Sequence, residues 1–126
     1  MRRVIALVVA LVAVPAASMG DSSLHPAGPA RDVHVVAKKF GFDPPVITVT
    51  EGERIRLLIR SADTVHGFQI RALDIDLQIP KDGETVMELT APPAGRYDIA
   101  CSEFCGIGHA QMRAALVSVA PTQTRR

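Results

Sequence analysis

Arg54-Ile55-Arg56-Leu57-Leu58-Ile59 places apolar side chains at 55, 57 and 59, with arginines at 54 and 56. Successive side chains of a strand point to opposite faces, so this stretch reads as a strand with one buried and one wet face. The same period recurs at Val33/Val35/Ala37, Ile47/Val49, Tyr97/Ile99 and Ala115/Val117/Val119. It recurs again at Leu73/Ile75/Leu77/Ile79, with Asp74 and Asp76 between. Turn signals separate the sets: Asp43-Pro44-Pro45, Glu51-Gly52, Lys81-Asp82-Gly83 and Pro92-Pro93-Ala94-Gly95. No amphipathic stretch reaches the length of an ordinary helix; a helical turn around residues 103–110 would have to accommodate Gly106 and Gly108. Many short strands with regular turns predict an all-β fold, a Greek-key sandwich or barrel.

Outward from these strands the chain changes character. Residues 1–20 open with Arg2 and Arg3, continue through the unbroken apolar run 4–14, and end in small residues. That is the layout of a secretory signal, and the run is shorter than the ~20 residues that span a bilayer. An uncleaved N-terminal anchor is the alternative. Residues 21–31, rich in Pro, Gly and Ser, read as a flexible linker. The folded unit is expected over 32–120, and 121–126 as a polar tail.

The chain has 126 residues, 14 Lys+Arg and 13 Asp+Glu. That length supports one domain. Without Arg2 and Arg3 the acids outnumber the bases by one, so there is no basic footprint for nucleic acid. Export would place the domain in an oxidising, periplasmic compartment, where its 2 cysteines would be paired or metal-bound.

Both cysteines lie in Cys101-Ser102-Glu103-Phe104-Cys105-Gly106-Ile107-Gly108-His109-Ala110-Gln111-Met112. Alone, the Cys-x3-Cys pair fits a disulfide as well as a metal. In helical geometry its Cβ atoms would stand ~5–6 Å apart, against the ~3.5–4.5 Å of a disulfide. His109 and Met112 decide for metal, because thiolate, imidazole and thioether are the donors copper prefers. Zinc fits less well, since thioether is a weak ligand for it. Two thiolates can bridge two copper ions, so that one odd electron is shared and each bond moves little on redox change. His66 in Asp63-Thr64-Val65-His66-Gly67-Phe68 is the best further ligand, at what reads as the end of a strand. A backbone carbonyl of the loop could complete the set. His25 and His34 read as solvated, and Lys38 and Lys39 as no more than an exposed strand end. Met87 reads as core, and Asp74, Asp76 and Glu88 as a wet sheet face. A Cys–His nucleophile would leave Met112 without a role, and no other catalytic motif is present.

The twelve-residue loop resembles the binuclear copper (CuA) loop of cytochrome c oxidase subunit II, and residues 63–68 resemble that family's upstream ligand segment. The likeness extends over about 33–119, including Phe42-Asp43-Pro44-Pro45 and Pro93-Ala94-Gly95-Arg96-Tyr97. It implies a cupredoxin-like Greek-key β-sandwich. It also implies Cys101 and Cys105 as bridging thiolates, His66 on one copper and His109 on the other, Met112 as a weak ligand and Glu103 as a carbonyl ligand. The Glu103 side chain would have the option of a magnesium ion when docked to a catalytic subunit. The chain departs from the family in having only a signal-like segment where transmembrane helices usually precede the domain, and in having no Trp.

The function implied is one-electron transfer, from a cytochrome c-like donor to an oxidase catalytic subunit, with no turnover by the domain alone. Membrane contact would come through that partner or an uncleaved N-terminus. The alternatives are a free periplasmic electron carrier and a copper-binding or copper-delivery protein.

Overall fold

The computed structural model describes residues 28–122. The signal-like segment, most of the linker, His25 and the end of the tail lie outside them. Nine strands follow in order: β1 Arg31–Lys38, β2 Gly41–Asp43, β3 Val46–Thr50, β4 Arg54–Ser61, β5 His66–Ile70, β6 Ile75–Ile79, β7 Glu84–Thr90, β8 Gly95–Ala100 and β9 Arg113–Val119. Short 3-10 turns occupy Arg71–Leu73 and His109–Gln111. No helix among the described residues is long and apolar enough to cross a membrane.

The strands form two sheets, β2-β1-β4-β7 and β3-β9-β8-β5-β6. β1 runs parallel to β4, with Val33 opposite Leu57 and Val35 opposite Ile59. β3 runs parallel to β9, with Ile47 opposite Leu116. The remaining pairs are antiparallel. The all-β sandwich expected from the alternation is therefore observed.

The alternation sets which face is buried. Ile55, Leu57 and Ile59 of β4 and Val33, Val35 and Ala37 of β1 enter one core with Phe68 and Ile70 of β5 and Ile99 of β8. Phe42 and Phe68 join the sheets across that core, edge to face with centroids 5.7 Å apart. Met87 and Leu89 of β7 pack against the core's edge. On the opposite face of the first sheet, Arg56 grips Asp32 through two 2.8 Å bonds. Arg60 pairs Glu84 at 2.7 Å and Arg54 pairs Glu88 at 3.4 Å. Solvent screens these ion pairs, so they favour register more than stability.

Four local readings are corrected. His66 begins β5 rather than ending a strand, because the preceding crossover is a turn anchored by the Ala62 N–H on the Ala37 carbonyl. Leu73 and Asp74 are not part of a strand; Leu73 closes a 3-10 turn and Asp74 ends it in the left-handed region at φ 55°. On β9 the inward face carries Ala114, Leu116 and Ser118, while Val119 is exposed. Ser118 tolerates burial because its hydroxyl donates to the Pro92 carbonyl at 2.7 Å. Lys39 does more than end a strand, as its backbone shows below.

Candidate metal centre

One end of the sandwich gathers all six residues singled out in the sequence. His66 arrives at the start of β5, Cys101 directly after β8, and Met112 directly before β9. The loop between β8 and β9 carries Glu103, Cys105 and His109. Its base is closed by the Cys101 N–H donating to the Met112 carbonyl. His109 opens the second 3-10 turn, held by His109 N–H to the Gly106 carbonyl at 3.1 Å and Gln111 N–H to the Gly108 carbonyl at 3.0 Å. Gly106 and Gly108 sit at φ +128° and +104°, a region that L side chains rarely adopt, and so let the loop turn back within a few residues.

The donor atoms form a chain of contacts. His66 Nδ1 lies 4.0 Å from Cys101 Sγ, and Cys101 Sγ lies 3.1 Å from the Glu103 carbonyl oxygen. Cys105 Sγ is 3.8 Å from His109 Nδ1 and 3.8 Å from Met112 Sδ. Ligand atoms of His66, Cys101 and Cys105 all lie within 4.8 Å of one another. Both cysteines are free thiols and buried, and His66 and Met112 are fully enclosed. Burial, reinforced by Cys101, pushes the Cys105 thiol up from its ordinary range. A metal that takes both sulfurs as thiolates therefore displaces protons.

This donor set fits copper: two soft sulfurs, two imidazole nitrogens, a thioether and a carbonyl oxygen, closely spaced and largely dry. The backbone is fitted to it. The Gly67 N–H points at Cys101 Sγ at 3.4 Å. A Cβ on Gly67 would stand 2.6 Å from the Ser102 nitrogen and 2.7 Å from that of Glu103, so only glycine admits this approach.

Three supports are not among the residues that the sequence singles out as ligands. Asp63 Oδ1 lies 2.6 Å from His66 Nε2, leaving Nδ1 to face the sulfurs. This carboxylate–imidazole arrangement is the usual way a metal-binding ring is oriented. Burial raises the Asp63 pKa. Bonds from the Lys39 amide, the His66 ring and the Thr64 amide outweigh that and hold it below the ordinary carboxylate value. Ser102 Oγ donates to Asp76 at 2.6 Å, tying the loop to β6. Gln78 Nε2 donates to the Glu103 carboxylate at 3.4 Å. Asp63 lies in the same segment as His66, and its carboxylate three residues before that candidate ligand is the sequence signal for its role. Outside the pocket, Phe104 and Ile107 are strongly exposed, 79% and 95%, and Phe104 lies 5.8 Å from the His109 ring.

A two-sheet Greek-key sandwich with sulfur and imidazole donors converging at one end defines a cupredoxin, and the model of the cupredoxin-like domain matches residues 3–117; the chain belongs to that family. Within it, the chain is similar to cytochrome c oxidase subunit 2 of Thermus thermophilus, 33% identical over 85 residues, 68% of this chain and 63% of the relative. A second subunit 2 from a strain of the same species gives the same identity, with 51% of its length covered. The chain thus spans between half and two thirds of these relatives. An alternative cytochrome c oxidase subunit 2 of Bradyrhizobium diazoefficiens is 29% identical over 52% of this chain and 24% of its own. Among solved structures, the periplasmic domain of subunit II of cytochrome oxidase of Bradyrhizobium japonicum superposes with TM-score 0.64. It covers 71% of this chain and 84% of that one at 18% identity. A heme-copper terminal oxidase dimer gives TM-score 0.64 at 23% identity, covering 71% and 65%. These superpositions establish the shared fold.

Proposed function

We propose that this domain is a binuclear copper electron-transfer module of the subunit II type, working outside the cytoplasm. The observation that carries the reading is the pair of free, buried thiols flanked by one imidazole on each side, His66 beside Cys101 and His109 beside Cys105. Two bridging sulfurs with a separate imidazole for each metal is the arrangement that a shared-electron pair of coppers requires. Met112 and the Glu103 carbonyl would complete the two coordination spheres.

Bound copper would supply one-electron redox chemistry with no bond made to a substrate. The chain's own part is to hold still. Asp63 fixes the His66 ring, the 3-10 turn fixes His109, and the enclosed Met112 cannot swing away. A donor set that barely moves between redox states lowers the reorganisation cost of electron transfer. Enclosure keeps water from adding its own reorganisation. The proposed partners are a cytochrome c-like donor and an oxidase catalytic subunit as acceptor. The Glu103 carboxylate is the group we assign to a magnesium ion at that subunit interface. Export by the N-terminal segment, cleaved or kept as an anchor, would bring the domain to that site.

Copper counting with paramagnetic resonance tests this. Wild type is expected to hold two coppers per chain, with the hyperfine pattern of an electron shared by two nuclei. Cys105→Ser, which removes one bridge, is expected to lose that pattern. One copper per wild-type chain with a single-nucleus pattern would overturn the proposal.

A further inference from the structure

The tip between β1 and β2 belongs to the first sheet, yet it touches both halves of the metal centre on the second. A Cβ on Gly108 would stand 3.0, 3.1 and 3.2 Å from three atoms of the Phe40 ring, and one on Gly106 would stand 3.6 Å from it. The ring therefore lies across both loop glycines, which accounts for an aromatic side chain that is only 42% exposed at a hairpin tip. One residue earlier, the Lys39 N–H donates to Asp63 Oδ2 at 2.8 Å, and Asp63 Oδ1 meets His66 Nε2. Two adjacent residues thus brace the two imidazoles, one through a carboxylate and the other through the glycine arc that ends at His109.

That arc has little other external support. Among the described residues, the backbone–backbone hydrogen bonds of 106–111 stay within the loop, as in His109 to Gly106 and Gln111 to Gly108, and from outside it the exposed Arg113 side chain at the start of β9 donates to the Ala110 carbonyl at 3.2 Å. The Phe40 ring is the contact that the first sheet makes with the arc's two glycines. The His66 half is separately secured by Asp63 and by Gly67 against Ser102.

We infer that Phe40 is a positioning residue for the metal centre: its ring fixes the Gly106–Gly108 arc, and so the placement of Cys105 and His109 relative to His66 and Cys101. The inference rests on the copper reading for its consequence, but its geometry is testable without metal.

In metal-free protein, each thiol's reaction with an aromatic disulfide reagent is followed by mass spectrometry. Phe40→Ala is expected to speed modification of Cys105 about tenfold, with Cys101 changing far less and Phe40→Leu falling between. Val86→Ala, an exposed apolar truncation on β7, should leave both rates alone. In copper-loaded protein, Phe40→Ala should release metal to a chelator about ten times faster, the lower end of what outer supports of metal ligands contribute, with altered hyperfine spacing. An unchanged Cys105 rate in natively folded Phe40→Ala overturns the inference. So does equal acceleration at both cysteines, which marks general loosening. If wild type takes up no copper, the proposed function fails while the thiol rates still decide whether Phe40 positions the arc.

Discussion

Replacing Gly67 by alanine adds one methyl group at the closest approach between β5 and the metal loop. Gly67 does not occupy the left-handed region, so the cost is contact alone. The new Cβ would meet Ser102 Oγ at 2.0 Å, which a rotation of that side chain relieves at the expense of its bond to Asp76. It would also meet the backbone nitrogens of Ser102 and Glu103 at 2.6 and 2.7 Å, which no rotation relieves. Ordinary contact begins at 3.4 Å, so the loop backbone must retreat by about 0.7–0.8 Å. Overpacking of this kind costs about 1–3 kcal/mol, and a clash with two backbone atoms belongs at the upper end. For a domain of this size each kcal/mol lowers Tm by about 4–8 °C, so a fall of about 12–24 °C is expected. The retreat also draws Cys101 and the Glu103 carbonyl away from His66, so copper binding should weaken in the same variant. Urea unfolding of metal-free protein and a copper titration measure the two effects. Gly41→Ala is the control: its Cβ meets nothing within 4 Å, and its backbone lies outside the left-handed region. It should be neutral or stabilising by about 0.4–1 kcal/mol. A Gly67→Ala protein within about 0.5 kcal/mol of wild type, with unchanged copper affinity, would refute the reasoning.

Asp63→Asn removes the charged support of His66 and should weaken copper binding about 10–100-fold in a competition titration. It should also flatten the acid limb of metal-free stability. The folded-state pKa of Asp63 lies below its ordinary value, so its contribution is full at neutral pH. That contribution fades as pH falls from its ordinary value, about 4, through the lower folded value. A wild-type acid limb in the variant would contradict this. Met112→Leu nearly conserves volume at a fully enclosed position, so unfolding should change by less than about 1.5 kcal/mol. Both coppers should stay while the reduction potential shifts; loss of all copper would show that Met112 is more than a weak ligand.

Much of this was legible in the sequence where one signal dominated. Ile55, Leu57 and Ile59 alternate with polar neighbours, and their strand lies as read. β9 misled because Ala114-Ala115-Leu116-Val117 is apolar at every position, so period alone cannot choose a face; its pairing with β3 and the Pro92 partner of Ser118 decide it. His66 reads as ending a strand only if Ala62-Asp63-Thr64 is taken as strand; it is the bend between β4 and β5, so His66 opens the next strand. The candidate donors within 101–112 stand out because they lie within one short stretch. Asp63 is half legible, because its carboxylate stands three residues before His66 while its bond from Lys39 crosses 24 positions; Phe40 is not, because its role exists only once the β1–β2 tip meets the late loop.

The uneven placement of the donors along the chain shapes how metal and folding are coupled. Cys101, Glu103, Cys105, His109 and Met112 are neighbours in sequence, whereas His66 must be carried in by a folded sheet. On the proposed function, an unfolded chain would keep a sulfur- and imidazole-rich stretch able to capture copper. Ligand binding stabilises a fold only by its preference for the native over the unfolded state. Copper will then raise the melting temperature by less than its affinity for the folded domain implies, and the shortfall measures how much of the centre is already present in twelve residues of loose chain.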